Sequence, residues 1–212
     1  MNVKICGVTR PQDAETAARF GATAVGLNFY PGSPRHVSVE RAREILRVLP
    51  ERVKPVAVLV AGQDNEAQLL KSLHEELGLT RFQFHGDAAV ARLRGLPRPG
   101  DVWSRVAAFA VATRADLDAI APQVGPEVSA VLVDAKVAGR HGGTGRTAPW
   151  DLLAGFDPGV PVLLAGGLTA ENVAEAIARA RPFAVDVASG VESEPGVKDE
   201  EKLRRFMERA LG

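Results

Sequence analysis

The sequence predicts a compact α/β protein, a closed (β/α)8 TIM barrel that forms one domain over residues 1–212. Three observations lead there. Short apolar segments alternate with helical ones eight times along the chain, which implies a parallel sheet. These segments are continuous apolar runs rather than alternating ones, so each strand is covered on both faces. The glycines and polar residues collect just after the strands' C-terminal ends, where such a barrel gathers its active site. A doubly wound open sheet is the competing arrangement, but eight units is the number that closes. Spread over eight units, 212 residues leave about 26 each, so the loops are short for a fold that commonly uses about 250 residues.

Val3-Lys4-Ile5-Cys6 opens the barrel. Val3 and Ile5 favour β-structure, and Gly7-Val8-Thr9-Arg10-Pro11 breaks the strand and starts a helix, which leaves Cys6 at the strand's C-terminal end. The helix runs from Pro11 to Phe20, with proline in its first turn and Gly21 just past its end. Ala24 to Phe29 is the second strand, Tyr30 to Val37 a loop, and Ser38 caps a helix to about Leu49. Pro55 to Val60 makes strand three, Asn65 to Leu77 a helix, and Arg81 to Phe84 a fourth strand ending at His85-Gly86. Asp101 to Phe109 is strand five, after a short helix limited by Pro97, Pro99 and Gly100, with a modest helix from Arg114 to Ala121 behind it. Val128 to Val133 is strand six, ending at Asp134 before a long glycine-rich loop from Gly139 to Gly145. Val160 to Ala165 ends at Gly166-Gly167, and Thr169 caps a helix to about Ala180. Ala184 to Val187 ends at Ala188-Ser189-Gly190, and the last helix spans Asp199 to Ala210.

Composition excludes several classes of function. Lysine plus arginine equals aspartate plus glutamate at 26 each, so no net field draws in nucleic acid or an anionic membrane. An anionic substrate must be held by a local site. The single cysteine rules out an internal disulfide, no apolar run approaches a membrane span, and Met-Asn-Val-Lys lacks a leader's apolar segment; the expectation is a cytoplasmic protein. No metal site is expected, since His36, His74, His85 and His141 show no ligand spacing and Cys6 has no second thiol. The helices' outer faces carry no unmistakable apolar patch, Trp103 and Trp150 fit core or interface equally, and monomer and homodimer both stay open.

In a barrel, Cys6, Arg35, His85, Asp134, Gly166-Gly167 and Ser189-Gly190 share one face although they span nearly the whole sequence. Alone, Cys6 reads first as a small buried hydrophobe, because structural cysteines outnumber reactive ones. Asp134 ends a wholly apolar strand beside low-dielectric core, a setting that suits proton donation, or else it serves as a cap or a loop ion pair to Lys136. Arg35 either forks onto a substrate carboxylate or pairs on the surface. Gly142-Gly143, Gly166-Gly167 and Ser189-Gly190 fit the phosphate site that barrels build after strands seven and eight from backbone N–H groups. Their other reading is tight turns at helix starts. No Walker-type or dinucleotide-binding glycine motif is present.

Lys4-Ile5-Cys6-Gly7-Val8-Thr9, Phe29-Tyr30-Pro31-Gly32-Ser33-Pro34-Arg35, Gln83-Phe84-His85-Gly86, Gly142-Gly143-Thr144-Gly145, Leu164-Ala165-Gly166-Gly167-Leu168, Ala188-Ser189-Gly190-Val191-Glu192 and Gly196-Val197-Lys198-Asp199 together resemble the signatures of phosphoribosylanthranilate isomerases, in that family's order over the whole chain. The Lys-Ile-Cys-Gly opening combined with Ser-Pro-Arg is the specific part, since many phosphosugar barrels share the glycine pairs. Thr147-Ala148-Pro149-Trp150 departs from the Phe-Asp-Trp-like run more often found there.

The resemblance implies an Amadori rearrangement of a phosphosugar substrate in tryptophan biosynthesis, with no cofactor. By that similarity Asp134 is the general acid and Cys6 the general base. Arg35 would hold the anthranilate carboxylate, His85 line the pocket, and Gly143, Gly166-Gly167 and Ser189-Gly190 hold the phosphate. Such a base asks something of its thiol: half ionisation at pH 7 takes a downward shift of about 1.5 units, or about 2 kcal/mol, from a nearby cation or backbone N–H groups. Two alternatives stand beside this reading. One is the related histidine-pathway isomerisation, whose enzymes rely on two aspartates where this chain has a cysteine first. The other is a non-catalytic phosphosugar-binding barrel, against which the joint presence of Cys6 and Asp134 argues.

Overall fold

The computed structural model describes residues 1–97, 100–135 and 150–212. The glycine-rich loop 139–145 with Gly143 and His141, the expected Lys136 partner, and Thr147-Ala148-Pro149 lie outside the described residues. Eight parallel strands close a barrel in sequence order: β1 (Asn2–Cys6), β2 (Ala24–Asn28), β3 (Lys54–Val60), β4 (Phe82–His85), β5 (Arg105–Val111), β6 (Ala130–Ala135), β7 (Val162–Ala165) and β8 (Ala184–Val187). β8 returns to β1 with Val3 opposite Val185 and Lys4 opposite Asp186, so the expected closure forms. Between the strands run α1 (Pro11–Arg19), α2 (Val39–Val48), α3 (Glu66–Glu75), the short α4 (Ala89–Arg92), α5 (Arg114–Asp118) and α6 (Val173–Ala180), and α7 (Glu200–Leu211) ends the chain.

The core has two parts, separated by the barrel wall. Outward-facing strand residues such as Val3, Ile5, Val25, Leu27, Phe82, Phe84, Val131 and Val185 pack with the helices in the larger part. Inward-facing residues form the smaller one, from Ala24, Val56, Val106, Ala130, Leu132, Leu163 and Ala184, with Trp103 among them. This two-sided burial is why the strands read as continuous apolar runs. Both Trp103 and Trp150 are core residues.

Several boundaries differ from the sequence expectation, each for a local reason. β5 starts at Arg105 rather than Asp101, because the Asp101 carboxylate accepts from the Trp103 N–H at 3.0 Å and its carbonyl accepts from the Ser104 hydroxyl at 2.7 Å, turning the chain before the strand begins. The Asn172 side chain accepts from the Thr169 N–H at 2.8 Å, so a turn occupies 169–172 and the regular helix begins at Val173. Ser38 caps α2 as expected, accepting from the Arg41 N–H, and Asp199, read from the sequence as the first residue of the last helix, caps α7 instead by accepting from the Lys202 N–H. Among the described residues the helix position after β6 holds only a 3-10 turn, Trp150–Leu153.

One element was not foreseen, a hairpin of β9 (Glu192–Glu194) and β10 (Val197–Lys198) inserted between β8 and α7. It folds back over the mouth of β1. The Thr9 hydroxyl donates to the Gly196 carbonyl at 2.5 Å, and the Lys198 N–H donates to the buried Asp13 carboxylate at 3.2 Å.

Gly190 is required by packing rather than by its backbone angles: a Cβ there would stand 1.9 Å from the Leu168 carbonyl oxygen, which brings the loops after β7 and β8 into backbone contact. Gly190→Ala is therefore expected to lose about 2–3 kcal/mol, or roughly 5–10 °C in Tm. A thermal melt matching that of the parent chain would refute this account of the loop contact.

Candidate active site

A cavity of ≈ 380 Å³ opens at the C-terminal end of the barrel. The structure brings together around it Cys6, Arg35, His85, Asp134, Gly166, Gly167, Ser189 and Gly190, the predicted residues within the described part of the chain. Gly143 lies outside that part. Also in the wall are Asn28, Gln83 and Asp186, to which the sequence reading gave no role.

Period-two geometry explains the gathering. Lys4 and Cys6 project from one face of β1 into the barrel, as Gln83 and His85 do from β4, while Asp134 and Asp186 come from β6 and β8. Lys4 is completely buried, and its ammonium donates to Asp186 at 3.0 Å, directly across the β1–β8 pairing. Gly26 on β2 leaves the room for this: a Cβ there would come within 2.8 Å of the Cys6 Sγ and 3.1 Å of the Lys4 Nζ. Charged residues inside apolar strands were the sequence signal for both Lys4 and Asp186. Asp134 was marked by a different feature, its place where an apolar strand ends.

Cys6 is half-buried, with a face on the cavity and protein packed densely around the thiol. Burial pushes its pKa above the ordinary value, and the negative charge of Asp186 adds to the rise, while Lys4, which hydrogen-bonds the sulfur, and Lys198 pull against it. The expected cations are thus present, but they limit an upward shift instead of producing a downward one. Lys4 itself stays charged: burial works against its ammonium, yet Asp186 and Cys6 outweigh that and raise its pKa.

Arg35 resolves its two readings in an unexpected way. Its Nε and Nη2 donate to the two oxygens of Glu192 at 2.9 and 2.6 Å, while the residue still borders the cavity. The loop that presents it is built on Asn28, whose amide donates to the Ser33 hydroxyl at 3.1 Å and accepts from the Tyr30 N–H at 2.9 Å. Lys198 donates to Oε1 of the same carboxylate at 2.8 Å and to the carbonyl of Cys6 at 2.6 Å. Glu192 and Lys198 stand in the segments that carry the family resemblance, but the sequence reading assigned neither a role, since that depends on partners more than a hundred residues away.

The Gln83 amide nitrogen lies 2.8 Å from the His85 Nε2, and among the described residues its carbonyl oxygen is buried with no hydrogen-bond partner. An acceptor so placed in a cavity wall is suited to a ligand donor. Gly166 and Gly167 turn the chain with φ of 95° and 63°, and through the Gly190 contact the Ser189-Gly190 backbone lies beside them. The cavity therefore has a backbone-lined glycine side and a charged side, with the thiol and the Asp134 carboxyl on different strands. Among the described residues no group of three or more His, Cys, Asp or Glu is arranged to hold a metal, and no helix is long and apolar enough to cross a membrane.

Comparison with known proteins agrees with this geometry. The profile of the family described as N-(5'-phosphoribosyl)anthranilate isomerase matches residues 3–209. An N-(5'-phosphoribosyl)anthranilate isomerase of Acidithiobacillus ferrooxidans is 45% identical over 212 residues, covering 100% of this chain and 98% of its own. Among solved structures, the phosphoribosyl anthranilate isomerase of Thermotoga maritima superimposes with a TM-score of 0.83 at 34% identity, covering 100% and 99% of the two chains. A complex of a phosphoribosyl anthranilate isomerase with reduced 1-(o-carboxyphenylamino)-1-deoxyribulose 5-phosphate matches with a TM-score of 0.80 at 33% identity, again over 100% and 99%. A barrel whose first strand ends on a thiol, a carboxyl on the sixth, glycine turns on the seventh and eighth, and full-length similarity to these enzymes place the chain in the N-(5'-phosphoribosyl)anthranilate isomerase family.

Proposed function

We propose that this chain converts N-(5-phosphoribosyl)anthranilate to 1-(2-carboxyphenylamino)-1-deoxyribulose 5-phosphate in tryptophan biosynthesis, with Asp134 and Cys6 as its acid and base. The observation that carries the reading is one cavity, in a chain of this family, bordered by both groups from different strands. Asp134 gives its proton to the furanose ring oxygen as the C1'–O bond breaks, and the nitrogen lone pair forms a C1'=N iminium. The iminium withdraws electrons from C2'. Cys6 as thiolate removes the C2' proton, the C–H electrons form the C1'=C2' bond of an enolamine, and tautomerisation to the ketone completes an isomerisation without net gain or loss of atoms. Burial holds the thiol mostly protonated, so the positive charges of Lys4 and Lys198 sustain the thiolate fraction that acts, and the iminium, by acidifying the C2' proton, lowers the basicity asked of it. Gly166, Gly167, Ser189 and Gly190 take the phosphate through their backbone, Gly143 joins them from the loop after β6, Arg35 takes the anthranilate carboxylate, and His85 borders the sugar.

Purified Cys6→Ser and Asp134→Asn proteins are expected to turn over the substrate at least about a hundredfold more slowly, with affinity for the phosphate end little changed. Near-normal turnover by the Cys6→Ala protein would remove the thiol from the mechanism.

Because Cys6 is the only cysteine, its reactivity can be followed directly. A raised pKa means that the neutral thiol persists to higher pH and that the thiolate fraction grows with each pH unit up to the shifted value. The rate of Cys6 alkylation by iodoacetamide is thus expected to keep climbing past the ordinary thiol value of about 8.5, and Lys4→Met moves the midpoint further up. A plateau below that pH would show that the cations outweigh burial.

A further inference from the structure

Glu192 and Lys198 have no place in the acid–base sequence, yet both are buried, with side chains 4% and 1% exposed. They face each other across the β9–β10 hairpin. A solvated arginine–glutamate pair contributes little, and its geometry drifts. This one is different, because two cations hold the carboxylate at once: Arg35 forks onto it with Nε and Nη2 at 2.9 and 2.6 Å, and Lys198 donates at 2.8 Å to Oε1, the oxygen that also accepts from Nε. Lys198 also donates to the carbonyls of Cys6 at 2.6 Å and Ala188 at 3.3 Å, and the Lys202 ammonium holds the Glu192 carbonyl at 2.7 Å. The hairpin itself is pinned to the loops that carry the site, since a Cβ on Gly196 would lie 3.2 Å from Thr9 and 3.3 Å from the Pro34 carbonyl.

A guanidinium has five N–H donors, and Glu192 uses two of them along one edge. The remaining three include the Nη1–Nη2 pair, an end-on fork that matches a second carboxylate. Arg35 borders the cavity, so holding one edge decides where the other points. We propose that Glu192 is a positioning residue of the isomerase: it fixes the side-on edge of Arg35 so that the end-on edge meets the substrate's aromatic carboxylate, and Lys198 ties that grip to the residue bearing the thiol. This rests on the isomerase reading above. Recognition of the substrate's acid and placement of the base are then set by one continuous chain, Arg35–Glu192–Lys198–Cys6, and the Arg35–Glu192 pair stays intact when substrate binds.

The test uses two probes, reduced 1-(o-carboxyphenylamino)-1-deoxyribulose 5-phosphate and its counterpart lacking the carboxylate. Wild type is expected to prefer the carboxylated probe by at least about tenfold, and Glu192→Gln to lose most of that preference. KM for the substrate is expected to rise about ten- to fiftyfold in Glu192→Gln, with a much smaller fall in kcat. In an Arg35→Met background, Glu192→Gln is expected to add nothing further to KM. Should Glu192→Gln fail to fold, Glu192→Asp, which keeps the charge but shortens the reach, is expected to show the same loss of preference. Retained preference in the folded variant, or an equal KM effect with Arg35 absent, would mean that Glu192 only staples the hairpin to the barrel. A wild-type protein without turnover would sink the isomerase reading itself, a result distinct from turnover beside an unaltered preference.

Discussion

Lys4 has no exposure to solvent, and its ammonium meets Asp186 at 3.0 Å on the strand that closes the barrel. A buried ion pair adds little net stability, because desolvating both charges cancels most of the attraction, but removing either partner costs about 3–5 kcal/mol. Such a pair fixes geometry rather than supplying strength. Here it sits beneath Cys6, and the small residues lining the barrel, Gly26 above all, leave the volume that the lysine stem and the sulfur fill. The register of β1 on β8, the depth of the thiol and the charge beneath it are consequences of one contact.

That arrangement sets the electrical character of the cavity. Around the thiol stand Lys4, Lys198 and Arg35 against Asp186 and Glu192, so the fixed charges near the neutral sulfur sum to one positive unit. Burial favours the thiol and the surplus charge favours the thiolate. In the acid–base sequence proposed above, only the thiolate fraction acts, and iminium formation in the substrate lowers the basicity it needs by making the C2' proton more acidic. The separation of Asp134 and Cys6 on different strands matches a reaction in two proton transfers at different atoms of one sugar.

Much of this was legible in the sequence, and the parts that were not share a physical cause. The barrel could be read because two-sided burial writes continuous apolar runs such as Val56-Ala57-Val58-Leu59. The strand-end residues could be read because polarity appears abruptly where an apolar run stops, as at Asp134. Lys4 and Asp186 carried a visible signal, a charge within an apolar strand, that was left without a partner because the pairing of β1 with β8 is a property of closure. Glu192 and Lys198 belong to segments that carry the family resemblance, yet nothing local assigned them a role: Glu192-Ser193-Glu194 has the composition of a solvated loop, and only the contact with Arg35, 157 positions earlier, distinguishes it. The start of β5 was misplaced because the carboxylate and hydroxyl of Asp101 and Ser104 compete locally for backbone partners.

The polar contacts around β1 join residues far apart in the chain, with Lys4 and Asp186 182 positions apart and Lys198 and Cys6 192 apart. On a ribosome the first strand is therefore made long before any group that can neutralise its lysine or hold its last carbonyl. A chain made only as far as β7 therefore has neither Asp186 nor Lys198 beside its thiol, and the charges that surround the sulfur in the folded barrel are absent from it.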